Sequence, residues 1–192
     1  MDLADHKKKK LILVGNKPPR KNGLSKEIDS FDFVLRVNRM NFLGIAGSRI
    51  DGLYLEASPV FTHQYEGGEN KNKIGGAGRI FMRRHWYMHF DTWARYLTPA
   101  QYANIEVIDE SSTIRETGFR RLTSSIMLLG HLLHSQWVQN YHIYITCLDV
   151  EHRARIVDND RTWDWHKGAG EVEQEYLLNH IQSASITRLP DE

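Results

Sequence analysis

Two short apolar segments near the start of the chain each end in an asparagine. Residues 11–14 are aliphatic and lead into Gly15 and Asn16, and residues 33–37 lead into Asn38. Apolar runs of this length that are closed by polar residues are typical of strands buried in a parallel sheet. Ligands of open α/β sheets bind at the carboxyl ends of the strands. The pattern therefore predicts that the two amides lie together at a binding site.

The residues around these asparagines suit contact with a polar ligand. Gly15 permits a close approach of the backbone, and the amide of Asn16 can both donate and accept hydrogen bonds. Arg36 and Arg39 stand near Asn38 in the sequence, and we expect them to bring two cations to the same edge. Gly15, Asn16 and Asn38 are therefore candidate binding residues.

The rest of the chain reads as one α/β domain. Residues 49–55, 105–108 and 141–148 have the composition of further strands. We expect residues 1–10 to form a basic N-terminal lead-in and residues 11–192 to form a single domain. The expected architecture is Rossmann-like, with a mostly parallel sheet flanked by helices.

Composition excludes several classes of protein. The 25 Lys and Arg residues against 24 Asp and Glu give no net field that would attract nucleic acid. Cys147 is the only cysteine, so no internal disulfide can form, which argues against a secreted disulfide-stapled module. No apolar stretch reaches the roughly 18 residues of a membrane span, and the start lacks a signal-peptide core. We expect a cytoplasmic protein whose lysines at 7–10 are solvated or make at most peripheral contact with anionic lipid.

A second candidate element begins at Thr123. Ser124 and Ser125 are good N-cap residues for the apolar-periodic helix that follows them. A helix N-terminus with unpaired backbone N–H groups and neighbouring hydroxyls suits an anion such as a carboxylate. A simple N-cap on a core helix explains the same residues equally well. His131 and His134, further along this helix, are interpreted as packing or surface residues.

A third candidate lies near the end of the chain. His166 and Glu171 are separated by four residues and stand just before a predicted helix. Histidine titrates near neutrality and so suits a general base. Glu173 and Glu175 are alternatives to Glu171, because carboxylates favour the first turn of any helix.

Taken in order, these segments resemble the motifs of the animal-type sialyltransferases, glycosyltransferase family 29. The large motif of that family is roughly VGN, a glycine-containing loop and then IDxxDxVxRxN. The matching positions here are Val14, Gly15, Asn16, Ile28, Asp29, Asp32, Val34, Arg36 and Asn38. Residues 122–151 resemble the small motif, and His166 with Glu171 matches the HxxxxE pattern of the very short motif.

The resemblance implies an inverting glycosyltransferase with a GT-A-variant fold. Such an enzyme transfers sialic acid, or a related nonulosonic acid, from a CMP-sugar donor to a glycan or glycolipid hydroxyl. By this resemblance Asn16 and Asn38 contact the CMP. Ser124 and Ser125 bind the carboxylate of the donor sugar. No metal is expected, and no cofactor beyond the donor substrate.

The same resemblance assigns the catalytic residues. His166 is the base that deprotonates the acceptor hydroxyl, and Glu171 orients it or contacts substrate. A triplet at residues 158–160, Asp-Asn-Asp, could suggest the metal site of other transferases. It is also an ordinary turn sequence, which is the interpretation we prefer.

The chain departs from the family at several points. Ser125 and Ile126 follow Ser124, where a glycine is usual, the additional HY-type motif is not recognisable, and the family disulfide cannot exist. These departures indicate a divergent, bacterial member that acts in lipopolysaccharide or capsule synthesis. The alternatives are a CMP-Kdo-dependent transferase, a non-catalytic nucleotide- or glycan-binding module, and an unrelated α/β fold.

Two further segments have structural interpretations. Residues 80–96 predict one or two amphipathic helices whose aromatics pack on the sheet, with a sugar-stacking platform as the alternative. His85 and His89 lack the acidic partner of a zinc motif. The glycine-rich residues 63–78 predict a linker or lid.

Overall fold

The structure is a computed structural model that describes residues 8–38, 40, 42–56, 74–88, 96–157 and 166–192. The strands in these ranges are β1 (Lys9–Val14), β2 (Phe33–Val37), β3 (Gly52–Tyr54), β4 (Arg79–Met82), β5 (Ile105–Val107), β6 (Tyr141–Thr146) and β7 (Thr187–Arg188). The helices are α1 (Leu24–Asp29), α2 (Arg84–Tyr87), α3 (Pro99–Ala103), α4 (Ser111–Thr117), α5 (Ser124–Leu133), α6 (Trp137–Asn140), α7 (Arg153–Val157) and α8 (Ala169–Gln182).

The strands form one parallel sheet in the order β5–β4–β3–β2–β1–β6–β7. The chain runs outward from β1 through β2 to β5 and then returns to β6 on the other side of β1. Strand order therefore reverses at β1, and in such sheets the crevice at the reversal is where ligands bind. The expected single α/β domain with a parallel sheet is confirmed.

Helices cover both faces of the sheet. Leu11 and Leu13 belong to one core cluster with residues of α5 and α8, whereas Ile12 and Val14 belong to another with residues of α1. This division follows from the strand itself, because successive side chains point to opposite faces. The continuous apolar run of β1 is thus explained by helices on both sides.

The position of α5 depends on a close contact with α4. A Cβ atom added to Gly130 would lie 1.8 Å from the Oγ1 atom of the buried Thr113. Only glycine permits the two helices to approach this closely. The contact matters for the site because α5 begins at the carboxyl edge of the sheet.

The charged residues of the large-motif segment hold this scaffold together. Asp29 accepts hydrogen bonds from the backbone N–H groups of Ser48 and Arg49, and Asp32 accepts one from Lys10 at 2.7 Å. Arg36 donates to the carbonyls of Arg49 and Ala46, at 2.7 and 2.9 Å. The expectation that Arg36 brings a cation to the binding edge is wrong, since its guanidinium is buried among backbone carbonyls. Arg39 lies outside the described residues.

Some element predictions need correction. Strand β4 covers residues that were predicted to be helical, and only the short α2 follows it. Ile80, Phe81 and Met82 are all buried, which a central parallel strand requires and an amphipathic helix does not. Residues 63–73 of the predicted lid lie outside the described residues.

None of the helices in the described ranges is both long and apolar enough to cross a membrane.

Candidate active site

The two predicted amides meet at the carboxyl ends of β1 and β2. The Nδ2 atom of Asn16 donates to the carbonyl of Val37 at 3.2 Å, and Val37 directly precedes Asn38. The backbone N–H of Asn38 donates to the carbonyl of Tyr54 at 2.9 Å, which joins it to the end of β3. Asn38 has a φ of 40°, a left-handed conformation that asparagine tolerates better than most residues. The predicted proximity of Asn16 and Asn38 is confirmed.

Gly15 is required by packing between the ends of β1 and β6. Its N–H donates to the carbonyl of Thr146 at 2.9 Å. A Cβ atom at this position would lie 2.3 Å from the carbonyl oxygen of Cys147. The close approach that we expected toward a ligand is therefore made to the neighbouring strand, and a contact of Gly15 with ligand remains a prediction.

The N-terminus of α5 lies at this same edge, and its first hydroxyl is already engaged. Helix α5 begins at Ser124 with Thr123 as N-cap residue. The Ser124 hydroxyl donates to the Oε1 atom of Glu56, which follows β3, and the hydroxyl of Tyr54 lies 3.3 Å from the same oxygen. Burial and the nearby Glu56 carboxylate hold the pKa of Tyr54 well above its ordinary value. Tyr54 therefore stays protonated and serves as a donor to Glu56.

A buried ion pair lies beneath the start of α5. Glu173 is fully buried, and it accepts hydrogen bonds from the N–H and the hydroxyl of Thr123, at 2.5 and 3.0 Å. Arg153 donates to Glu173 at 2.7 Å and to the hydroxyls of Thr123 and Ser125, at 2.5 and 3.2 Å. The sequence predicted Ser124 and Ser125 as N-cap residues, but the N-cap residue is Thr123, and its side chain contacts these charged groups instead of forming a cap hydrogen bond with the helix.

Two backbone donors at this helix end stay open. The N–H groups of Ser124 and Ser125 make no hydrogen bond to another residue in the described part of the chain, whereas those of Ile126 and Met127 donate to the carbonyl of Thr123. Unpaired N–H groups at a helix N-terminus carry partial positive charge. An anionic group of a ligand can therefore bind to the backbone here, even though the Ser124 hydroxyl is engaged.

His166 is anchored to the segment that leads into α5. Its Nδ1 atom lies 2.8 Å from the carbonyl oxygen of Arg121. A carbonyl only accepts, so Nδ1 carries a proton, and in the neutral ring Nε2 is then the acceptor. Arg121 stands three residues before Ser124 in the sequence. The tautomer and location suit a base that takes a proton at Nε2.

The two candidate glutamates on α8 have different surroundings. Glu171 lies exposed in the first turn of α8 and makes no hydrogen bond or ion pair to the described residues. Its predicted role in orienting His166 is filled here by the Arg121 carbonyl. Its other predicted role, contact with substrate, stays a prediction. Glu173, which the sequence offered only as an alternative, is the carboxylate in contact with the start of α5.

A further row of polar groups follows the carboxyl edge toward β5. Arg83 is buried just after β4, and its Nε and an Nη atom donate to the two carboxylate oxygens of Glu110 at 2.6 and 2.9 Å. Burial opposes the charge on Arg83, but the Glu110 carboxylate raises the pKa of Arg83 above its ordinary value. Arg83 is thus a fixed cation between the ends of β3 and β5.

Possible metal ligands are few in the described ranges. Ligand atoms of Asp149, Glu151 and His152 lie within 4.8 Å of one another. Glu151 is paired with Arg188, and Asp149 accepts from the N–H of His152 at 3.0 Å, so both carboxylates already have partners. The Asp-Asn-Asp triplet lies outside the described residues.

The aromatic and histidine residues of other segments have structural surroundings. Phe81 is fully buried and contacts Trp137 and His131, which supports the packing interpretation. His131 bridges the N–H of Asp109 and the Glu106 carboxylate, at 3.1 and 2.8 Å, as expected of a packing residue. Residues 89–95, including His89, lie outside the described ranges.

Sequence reasoning missed Arg153 and assigned no role to Glu56. Glu56 follows a predicted strand, and the sequence placed it on the side of the sheet where site residues gather without naming a role for it. The residues near Arg153 in the sequence do not predict its contact with Ser125, because 28 residues separate the two.

Comparisons with known proteins support the architecture. No protein-family model matches the sequence, and no curated protein matches it. The fold is similar to that of a mammalian sialyltransferase solved in complex with Gal-beta-1-3GalNAc-ortho-nitrophenol, with a TM-score of 0.56 and 15% identity over 96% of this chain and 70% of the other. The chain has a sialyltransferase-like fold.

A bacterial sialyltransferase has a similar fold. The sialyltransferase CstII from Campylobacter jejuni, solved with the substrate analogue CMP-3FNeuAc, matches with a TM-score of 0.51 and 16% identity over 95% of this chain and 81% of CstII. At these identities the similarity establishes a common sialyltransferase-like fold, and the activity has to be argued from the site.

Proposed function

We propose that the protein is a glycosyltransferase that transfers sialic acid, or a related nonulosonic acid, from a CMP-sugar to a glycan hydroxyl. The observation that carries the proposal is the hydrogen bond from Nδ1 of His166 to the carbonyl of Arg121. It leaves Nε2 as the proton acceptor of a histidine anchored to the segment that leads into α5, on a fold that resembles those of sialyltransferases.

The donor would bind at the carboxyl edge of the sheet. The amides of Asn16 and Asn38 would contact CMP, because the hydrogen bond from Asn16 to Val37 holds the two residues close together at the ends of β1 and β2. The open N–H groups of Ser124 and Ser125 would bind the sugar carboxylate. In this arrangement the backbone N–H groups of α5 bind the sugar carboxylate, which the sequence analysis had assigned to the hydroxyls of Ser124 and Ser125.

The reaction would be a direct displacement with inversion. Nε2 of His166 takes the proton of the acceptor hydroxyl as its oxygen attacks the anomeric carbon, and CMP departs with the bonding electrons. A monophosphate leaving group has less need of a cation than a diphosphate, so we propose that the reaction runs without metal. Bacterial surface glycans such as lipopolysaccharide or capsule remain the proposed acceptors, and CMP-Kdo is the alternative donor.

A non-catalytic nucleotide- or glycan-binding module is a second candidate. It is favoured by the hydrogen bond from Ser124 to Glu56, which removes one hydroxyl from the donor site. The presence of His166, with Nδ1 bound to the carbonyl of Arg121 and Nε2 as an acceptor, favours the enzyme.

The test is release of CMP from CMP-sialic acid and from CMP-Kdo in metal-free buffer, with and without a pooled glycan acceptor. We expect His166→Ala to lower the rate by about 10²- to 10⁴-fold, since that is the usual contribution of a general base. Affinity for CMP measured by calorimetry should be unchanged, because a base acts in the transition state.

The outcomes separate the candidates. CMP binding without release by the wild-type protein would indicate a binding module. Loss of CMP binding in His166→Ala would contradict the assigned role of the histidine. Absence of both binding and release would reject the proposed function.

A further inference from the structure

Glu56 presents an unusual charge at the start of α5. Its Oε1 atom accepts from the hydroxyls of Ser124 and Tyr54, and it makes no ion pair with a cation in the described part of the chain. The other carboxylate at this helix end, Glu173, is neutralised by Arg153 at 2.7 Å. The nearby cation Arg83 is paired with Glu110. Within the described residues Glu56 therefore adds a negative charge with no ion-pair partner beside the open N–H groups of Ser124 and Ser125, and Arg83, which is paired with Glu110, interacts with it electrostatically.

This charge conflicts with an incoming carboxylate. A serine hydroxyl has one proton, and the proton of Ser124 is directed at Glu56. While that bond persists, Ser124 cannot donate to a ligand. Two carboxylates brought to the same helix end also repel each other, as like charges in one site do. An acidic sugar that binds here must either displace Glu56 or bind against the electrostatic repulsion of the Glu56 carboxylate.

We propose that Glu56 is a specificity-determining residue that reduces the contribution of the sugar carboxylate to donor binding. This inference rests on the proposed function, because it takes the start of α5 as the place where the donor carboxylate binds. Glu56 holds the Ser124 hydroxyl and places a like charge beside the open N–H groups, so the wild-type site obtains its affinity chiefly from the CMP part of the donor.

The test compares two probes, CMP and CMP-3FNeuAc, by calorimetry on the full chain. Glu56→Gln keeps an oxygen that accepts from Ser124 and Tyr54 while removing the charge. We expect it to bind CMP-3FNeuAc at least about fivefold more tightly than the wild type, from removal of one like charge at short range. Affinity for CMP should change by less than about twofold, because the proposal places its anionic phosphate with the nucleotide at the ends of β1 and β2 and only the sugar carboxylate at the start of α5.

The matched control is Glu116→Gln, at the other end of α5. Glu116 lies on α4 and contacts His134, the C-cap residue of α5, at 2.9 Å, so the same charge change is made at the opposite end of α5, away from the site. We expect it to leave the affinities for both probes unchanged. Thermal melts of each variant establish that it is folded before the affinities are compared.

A double-mutant cycle tests the contact itself. Ser124→Ala in the wild-type background should change affinity for CMP-3FNeuAc by less than about twofold, because its hydroxyl is directed at Glu56. In a Glu56→Ala background the hydroxyl can donate to the ligand, so Ser124→Ala should weaken binding by about tenfold, as expected for a hydrogen bond to a charged group.

Several results overturn the inference. If Glu56→Gln binds CMP-3FNeuAc no more tightly than the wild type while CMP still binds, the carboxylate does not compete with donor. If it binds CMP-3FNeuAc more weakly, Glu56 contacts the sugar directly. Failure of the wild type to bind CMP would instead reject the proposed function, and this inference with it.

Discussion

The two sides of the candidate site use their charges in different ways. On the β1–β2 side, Asp29 and Arg36 are engaged with the backbone of residues 46–49, and the amides of Asn16 and Asn38 lie at the edge, where Asn16 donates to the carbonyl of Val37. On the α5–α8 side, the charges of Glu173 and Arg153 lie directly beneath the helix start.

On the β1–β2 side the charged residues therefore stabilise the fold while other residues form the ligand surface. On the α5–α8 side the same charged residues do both. A charge removed on the β1–β2 side should affect folding and leave the ligand surface intact. A charge removed on the α5–α8 side should affect both, because the same groups stabilise the fold and set the electrostatic field at the start of α5.

The largest effect is expected for Glu173→Gln. The substitution leaves the Arg153 guanidinium buried without its counter-charge, and we expect a loss of about 3 to 5 kcal/mol in the free energy of unfolding. Urea denaturation measures it. The matched control is Glu171→Gln, two residues earlier on α8 and exposed, for which we expect a change within about 0.5 kcal/mol. Equal effects would show that the buried pair does not stabilise the α5–α8 side.

A carboxylate outside both sides gives a reference for acid destabilisation. Burial alone would raise the pKa of Glu106, but hydrogen bonds from His131, Trp137 and Arg79 lower it to about 2 from an ordinary 4.5. A depressed folded-state pKa contributes stability above pH 4.5 that is lost as the pH falls toward 2. The shift corresponds to about 3 kcal/mol. The difference in unfolding free energy between wild type and Glu106→Gln should therefore shrink over this pH range, and a constant difference would contradict the assignment.

The smallest effect is expected for Asn16→Ala. We expect affinity for CMP to fall by about 1 to 3 kcal/mol, the cost of one lost hydrogen bond that leaves a buried partner unpaired. Calorimetry on the folded variant measures it. Its control is Arg36→Gln, which loses bonds to the carbonyls of Ala46 and Arg49 and should destabilise the fold while CMP affinity stays unchanged. An unchanged affinity in Asn16→Ala would remove this amide from the site.

Much of the β1–β2 side could be predicted from the sequence. Apolar runs of four or five residues in a parallel sheet must be buried on both faces, so their polar ends must lie at one edge. Asn16 and Asn38 are together for this reason. The prediction for Arg36 was wrong because side chains alternate along β2, and Arg36 points to the face of the sheet that α1 covers. The local sequence did not show that backbone carbonyls on that face would accept its hydrogen bonds.

Residues 80–82, which were predicted to be helical and form part of strand β4, show why a local pattern can mislead. Aromatic and basic residues mixed over 80–96 fit an amphipathic helix, but the sheet takes Ile80, Phe81 and Met82 as a strand between β3 and β5. A short apolar run fits the periodicity of a helix and that of a strand equally well, and pairing with the neighbouring strands decides which of the two forms.

The sequence by itself determined the parallel sheet, the meeting of the two amides and, to within a residue, the start of α5, because these depend on periodicity and strand ends that are read from residues close together in the chain. The tertiary structure alone decided that Glu173 rather than Glu171 contacts Thr123, and that Ser124 donates to Glu56. These partners are separated by 50 and 68 residues. Hydrogen bonds across such separations depend on how α5, α8 and β3 pack together, and local sequence patterns carry no information about that packing.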